Sequence, residues 1–174
     1  MSEIAAALIG AILAGLFQTV DRIIERKREA EAVLTAIASE VDSICRLIRH
    51  QRYKEFAQTL VDAIEAGNWD GSTIVIDLRQ NYFAVFEGLV GKIGLIKPAN
   101  AAQIVNFYAY CRSAIDSTYP DGVHALSDQL PEKAENLISL NSLLTAILSL
   151  GDEIVALPKK SSGATQSDRA IVRQ

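Results

Sequence analysis

Seventeen consecutive residues without a charge, Ile4 to Val20, constrain this chain more than any other feature. As a helix rising about 1.5 Å per residue, the run is roughly 26 Å long, close to the shortest length that crosses the hydrocarbon core of a bilayer. Eight of the seventeen are Leu, Ile, Val or Phe. On an insertion scale they favour the membrane by roughly 2.5–5 kcal/mol, and Gly10 and Gly15 offset part of that. The run passes directly into a charged segment holding Asp21, Arg22, Glu25, Arg26, Lys27, Arg28, Glu29 and Glu31.

Three other readings of the run compete with a membrane span. A secretory signal carries its positive charge before the apolar stretch, whereas here Glu3 precedes it and Arg22, Arg26, Lys27 and Arg28 follow. An interfacial amphipathic helix needs a polar face, and the run has none. A buried core helix remains as the alternative. The favoured reading is a transmembrane anchor with its juxtamembrane helix over residues 1–28. The basic residues Arg22, Arg26, Lys27 and Arg28 would keep their side of the span in the cytoplasm and the N-terminus outside. The same four can meet the head groups of membrane lipid.

Small residues recur at intervals of four within the run. Ala7, Ala11 and Gly15 form one stripe, and Ala6, Gly10 and Ala14 another. Such spacing lets two helices approach closely in lipid, which makes a homo-oligomer an expectation. Elsewhere the net charge of −4, with no basic stripe beyond the juxtamembrane cluster, argues against a nucleic-acid partner. Cys45 and Cys111 fall on apolar helix faces, where free buried thiols in a reducing compartment are expected.

Beyond Arg28 the chain reads as all-α. Ala30, Leu34, Ile37, Val41, Ile44 and Ile48 step by four and three, a heptad seam or the core face of a bundle helix. No glycine or proline interrupts residues 16–66, so the anchor is expected to continue into this helix, with a bend near Gln51–Lys54. Tyr53, Phe56, Leu60 and Ile64 carry the next apolar face to a stop at Gly67. Trp69-Asp70-Gly71-Ser72 is a turn. The β-branched run Thr73–Ile76 is read as the entry to a helix over Asp77–Ile93, with Gly94 as its left-handed cap and Pro98 forbidding continuation. Gly88, Gly91 and Gly94 are read as close-packing positions. Helices over Ala99–Thr118 and Pro131–Leu157 follow, and Lys159–Gln174 is expected to be disordered. The resulting architecture is an N-terminal transmembrane helix running into an antiparallel bundle of about four helices over residues 29–157, then a tail over 158–174.

No constellation of catalytic residues, metal ligands or cofactor contacts emerges. His50 and His124 each stand alone, no glycine-rich loop follows a strand, and no Glu-x-x-His motif marks a di-metal bundle. An enzyme is not expected, nor a cofactor.

Two stretches carry a resemblance: the anchor running into a charged helix, Ala5–Ser43, and Tyr82–Ile115, with its aromatic helix, the Lys92-Ile93-Gly94-Leu95-Ile96 corner, Pro98 and the pair Phe107-Tyr108. Together they are similar to a broad set of uncharacterised bacterial proteins with one N-terminal span and a helical cytoplasmic domain. That resemblance implies a single-pass protein of the bacterial inner membrane and brings no catalytic residues. The leading expectation is a membrane-anchored scaffold or adaptor with a protein partner still to be identified. The alternatives are an oligomeric pore-forming effector of the phage-defence or toxicity type, and a soluble partner-binding module whose first helix is buried.

Overall fold

The computed structural model describes residues 2–72, 74, 76, 81–119, 122 and 130–171, with side chains for those between 15 and 158, Leu130 excepted. The chain is all-helical, with no strand among the described residues. Four long helices are present among the described residues: α1 (Ser2–His50), α2 (Tyr53–Glu65), α4 (Pro98–Thr118) and α5 (Leu130–Ile171). A short α3 (Ala84–Leu89) passes into a 3-10 segment, Val90–Leu95. Helix α5 is the centre of the body and packs against α1, α2 and α4.

The uninterrupted sequence from Leu16 to Ala66 explains the length of α1. It ends where the seam ends, with Arg49 in its last turn, positive charge beside the helix's negative end. Arg52, in the left-handed region at φ 56°, makes the bend into α2. The heptad positions Leu34, Ile37, Val41 and Ile44 are all buried. They face the helical core, so within the body the seam is a bundle face. Arg49 Nη2 grips both carboxylate oxygens of Asp152 on α5 at 2.8 Å.

Helix α2 buries Ala57, Leu60 and Val61 and closes with a Schellman cap. Asn68 N–H donates to the Ala63 carbonyl (3.0 Å) and Gly67 N–H to that of Ile64 (3.1 Å), with Gly67 at φ 70°. The turn that follows is held by Asp70 Oδ1, which accepts from Ser72 N–H (2.9 Å), and by Trp69 Nε1–H donating to the Ser72 carbonyl (2.9 Å). Hydrogen bonds from Ser72 hold the exposed Asp70 carboxyl below its ordinary pKa. Lys133 on α5 lies with its ammonium 4.6 Å from the Trp69 ring centroid, which fastens the turn to the central helix.

Three expectations from the sequence are corrected here. The helix expected over Asp77–Ile93 begins, in its described part, only at Ala84. Ile74 and Ile76 sit in irregular chain with side chains at 4% and 8% exposure. Their two-residue alternation turns both inward, and with no strand beside them Ile76 N–H donates to Thr118 Oγ1 instead (3.2 Å). Gly94 is not a left-handed cap either: it lies inside the 3-10 segment, and only Gly67 and Gly71 among the described glycines have positive φ. Pro98 ends that segment by pushing Lys97 into extended geometry (ψ 135°). A Cβ at Gly88, Gly91 or Gly94 would meet nothing within 4 Å, so close packing does not explain these glycines. The backbone of α5 runs on as helix through Pro158 to Ile171. Pro158 inside this helix removes one ladder N–H, and its ring crowds the carbonyl four residues back.

Several expectations hold. Ile96 plugs the corner at 6% exposure, and Ile104, Phe107, Tyr108 and Cys111 form the core face of α4. In α5, Leu137, Leu140, Leu144, Ile147 and Ile154 are each at most 2% exposed. Among the described residues, Pro131–Pro158 of α5 is long and apolar enough to cross a membrane by length and composition. Five of its leucines and isoleucines are buried in the core of the body, and 28% of its most apolar stretch is buried in all.

Candidate functional site

Among the described side chains, a long stretch not committed to the body is the N-terminal part of α1. Residues 15–29 are all exposed, Ala30 is half-buried, and Val33 is the first buried position. The exposed stretch includes five large apolar side chains: Leu16 (58%), Phe17 (70%), Val20 (50%), Ile23 (63%) and Ile24 (43%). Where the stretch meets the body, Lys92 Nζ on the 3-10 segment pairs with Glu29 Oε1 at 2.7 Å. Arg22, Arg26, Lys27 and Arg28 all lie on this protruding helix and are solvent-exposed. Gly15 has open space around it, with nothing within 4 Å of a Cβ built there. Ala7, Gly10, Ala11 and Ala14 lie in the helical backbone of α1, and their side chains are outside the described residues.

Inside the body, the most connected polar group is one the sequence did not single out. Glu40 of α1 caps α3 from across the core: its Oε1 accepts from Val85 N–H (2.7 Å) and its Oε2 from Phe86 N–H (3.0 Å). The Oε2 atom also accepts from the Tyr108 hydroxyl at 2.6 Å. Anionic oxygen at the first turn of a helix is favoured by the orphan N–H groups and the macrodipole together. Tyr108 stacks on Phe86 with centroids 4.0 Å apart and meets Phe83 and Phe107 edge-on at 5.6 and 5.3 Å. Burial, the hydrogen bond to Glu40 and its negative charge all push the Tyr108 phenol well above its usual range. The arrangement holds α1, α3 and α4 together. Glu40 lies 45 to 68 residues from its partners in sequence, and no local spacing marks it.

Cys45 and Cys111 are both free and buried. Burial raises Cys45 to about 11 and Cys111 to about 12. Thiolate being the reactive form, neither is a competent nucleophile at neutral pH. Both are expected to resist alkylation in the native protein at pH 8 and to react fully in urea, a difference that thiol counting measures directly. The sign of the alkaline effect follows from the raised values. The native chain holds these protons after the unfolded chain, near 9, has lost them. Stability therefore falls as pH rises from about 9 towards 11, by up to about 1.4 kcal/mol per pH unit for each thiol.

An apolar cavity of about 40 Å3 lies beside Cys111, walled by Ile44, Ile48, Tyr53, Leu144 and Ile147 among others. Its exposed lining is almost wholly apolar, which leaves little to orient a polar ligand. On the surface, an open cleft of about 250 Å3 includes Asn81, Tyr82, Phe83, Arg112, Asp116 and Tyr119. The Arg112 guanidinium is already neutralised there by Glu87 Oε1 at 2.9 Å. No group of three or more His, Cys, Asp or Glu side chains is placed to hold a metal among the described residues. His50 is exposed at the end of α1, and His124 lies outside the described residues. Comparison with protein-family models, with curated proteins and with solved structures gives no match.

Proposed function

We propose that the chain is a membrane-anchored helical scaffold or adaptor without catalytic activity of its own. In this reading residues 4–20 of α1 span the bacterial inner membrane with the N-terminus outside, and the body is an antiparallel bundle in the cytoplasm. A single observation carries the reading: α1 leaves the body as one continuous helix whose large apolar side chains, Leu16 to Ile24, are exposed and uncovered by any described residue. Fully burying a side chain of this kind is worth about 1.5–3 kcal/mol, so Leu16, Phe17 and Val20 together favour an apolar cover strongly. Lipid is the cover that also suits the uncharged residues 4–15 by composition. Arg22, Arg26, Lys27 and Arg28, exposed just beyond, favour the cytoplasmic side.

The adaptor role rests on how the body's polar groups are used. The Glu40 carboxylate is spent on capping α3 and holding Tyr108, and both thiols are buried and protonated.

Deletion of residues 2–20 tests the assignment of the span. The shortened chain is expected in the soluble fraction, with the helical circular-dichroism signal of the body retained. If it stays in a carbonate-washed membrane pellet, Pro131–Pro158 of α5 becomes the membrane segment and the proposal fails.

A further inference from the structure

We infer that the body rests on anionic lipid head groups through the corner between its 3-10 segment and α4, at Val90, Lys92 and Lys97. The inference rests on the membrane-anchored reading and adds a second contact to it. Two glutamates of α1 mark the height of the corner along the anchor helix. Glu40 receives the N–H groups of Val85 and Phe86 and the hydroxyl of Tyr108. From Phe86 the chain climbs beside α1 until Lys92 Nζ meets Glu29 Oε1 at 2.7 Å. It turns at Pro98, and α4 then carries it back to Glu40 at Tyr108. The ten residues from Pro98 to Tyr108 rise about 15 Å, close to the roughly 16 Å between Glu29 and Glu40 on α1. The corner therefore stands at the level of Glu29, at the end of the body from which the anchor leaves.

From that level the bilayer is close. The uncharged run is roughly 26 Å long against about 30 Å of hydrocarbon, so the boundary of the core falls between Val20 and Ile24. Glu29 is five to nine residues further on, about 7–14 Å. Head groups fill about 5–7 Å of that distance. The corner is left within one ionic screening length, about 8 Å, of their charge.

Its own charge has the sign that anionic head groups attract. Between Glu87 and Asp116 there is no acidic residue, in a chain whose net charge is −4. Lys97 is exposed at the start of α4, and the Lys92 side chain is 54% exposed beside Glu29. With Arg26, Lys27 and Arg28 they outnumber Glu25, Glu29 and Glu31 on the neighbouring turns of α1. A lysine this near an anionic surface is worth about fivefold in binding. Val90, 50% exposed on the same segment, adds an apolar side chain that the body leaves uncovered.

Quenching by lipid tests the contact in the full-length chain reconstituted into vesicles. A fluorophore is attached at Val90→Cys, or at Phe56→Cys on α2, which begins beyond the far end of α1, about 30 Å from Glu29. The native thiols stay unlabelled, being buried at 1% and 5% exposure. In vesicles of phosphatidylcholine and phosphatidylglycerol, a nitroxide on the lipid head group is expected to quench Val90→Cys about threefold more than Phe56→Cys. Lys97→Glu, or pure phosphatidylcholine, is expected to cut that excess by about half, because each removes attraction to the surface. The Lys97 side chain makes no hydrogen bond to α4, and acid is favoured at a helix N-terminus, so this variant folds. An excess that neither change reduces overturns the proposal. Equal quenching at both sites, in a chain that floats with the vesicles, keeps the anchor and loses the contact. A chain that fails to float refutes the anchor, and the contact with it.

Discussion

Valine at position 151 is expected to cost on the order of 3 kcal/mol or more, a large share of the 5–15 kcal/mol that holds a typical domain together. Gly151 is buried in α5 at the point where that helix crosses α1 and α4. A Cβ built there would overlap Cys45 Sγ, sit 3.1 Å from Phe107 Cε2 and 3.5 Å from Val41 Cγ1. Phe107 is fully buried and Cys45 nearly so, so neither has free space to retreat into. Alanine separates this effect from backbone propensity. In an open helix Gly→Ala gains about 1 kcal/mol, yet here Gly151→Ala is expected to lower the urea midpoint. Combining it with Cys45→Ala removes the nearest obstacle and should recover part of the loss, a coupling that a double-mutant cycle reads out. A Gly151→Ala chain as stable as the parent would show that α1 and α5 are not held this closely.

Glu40→Ala is expected to cost about 2–4 kcal/mol. The loss combines a helix cap, about 0.5–2 kcal/mol, with a buried tyrosine hydroxyl left without its acceptor, about 1–3 kcal/mol. Two backbone N–H groups of α3 lose their partner at the same time. Tyr108→Phe removes only the 2.6 Å bond and keeps the stack on Phe86, so it should cost about 1 kcal/mol. Thermal or urea unfolding of the two variants ranks them. Equal stability of Glu40→Ala and the parent would mean that the carboxylate contributes nothing net to the fold.

The residues behind these two effects show what the sequence reveals and what it hides. Leu34, Ile37, Val41 and Ile44, like Leu137, Leu140, Leu144 and Ile147, were legible as core because helical periodicity is a local property of the chain. The stop at Gly67 and the turn at Trp69–Ser72 were legible for the same reason: their chemistry is complete within a few residues. Glu40 was not, because a polar side chain on a helix carries no mark of the partners that folding brings to it from α3 and α4. Gly151 was not, because in sequence a glycine inside an apolar helix reads as a small propensity loss, and its purpose appears only with the opposing helix in place. At Ile74 and Ile76 the β-branched run was visible, but helix entry was favoured over a strand because no partner strand was in sight. Burial of both side chains and the hydroxyl of Thr118 supply what the missing strand would have given. The protruding half of α1 was legible as an uncharged run, and its exposure beyond residue 15 is what the structure adds.

Accessibility of the body across the membrane tests the central claim most directly. Spheroplasts expressing the full-length chain with a C-terminal tag are treated with protease, before and after lysis, and the membranes are washed in alkaline carbonate. The account expects the protein in the washed pellet, with the tag protected until the cells are opened. A tag lost from intact spheroplasts contradicts the topology, and a chain released by carbonate contradicts the anchor.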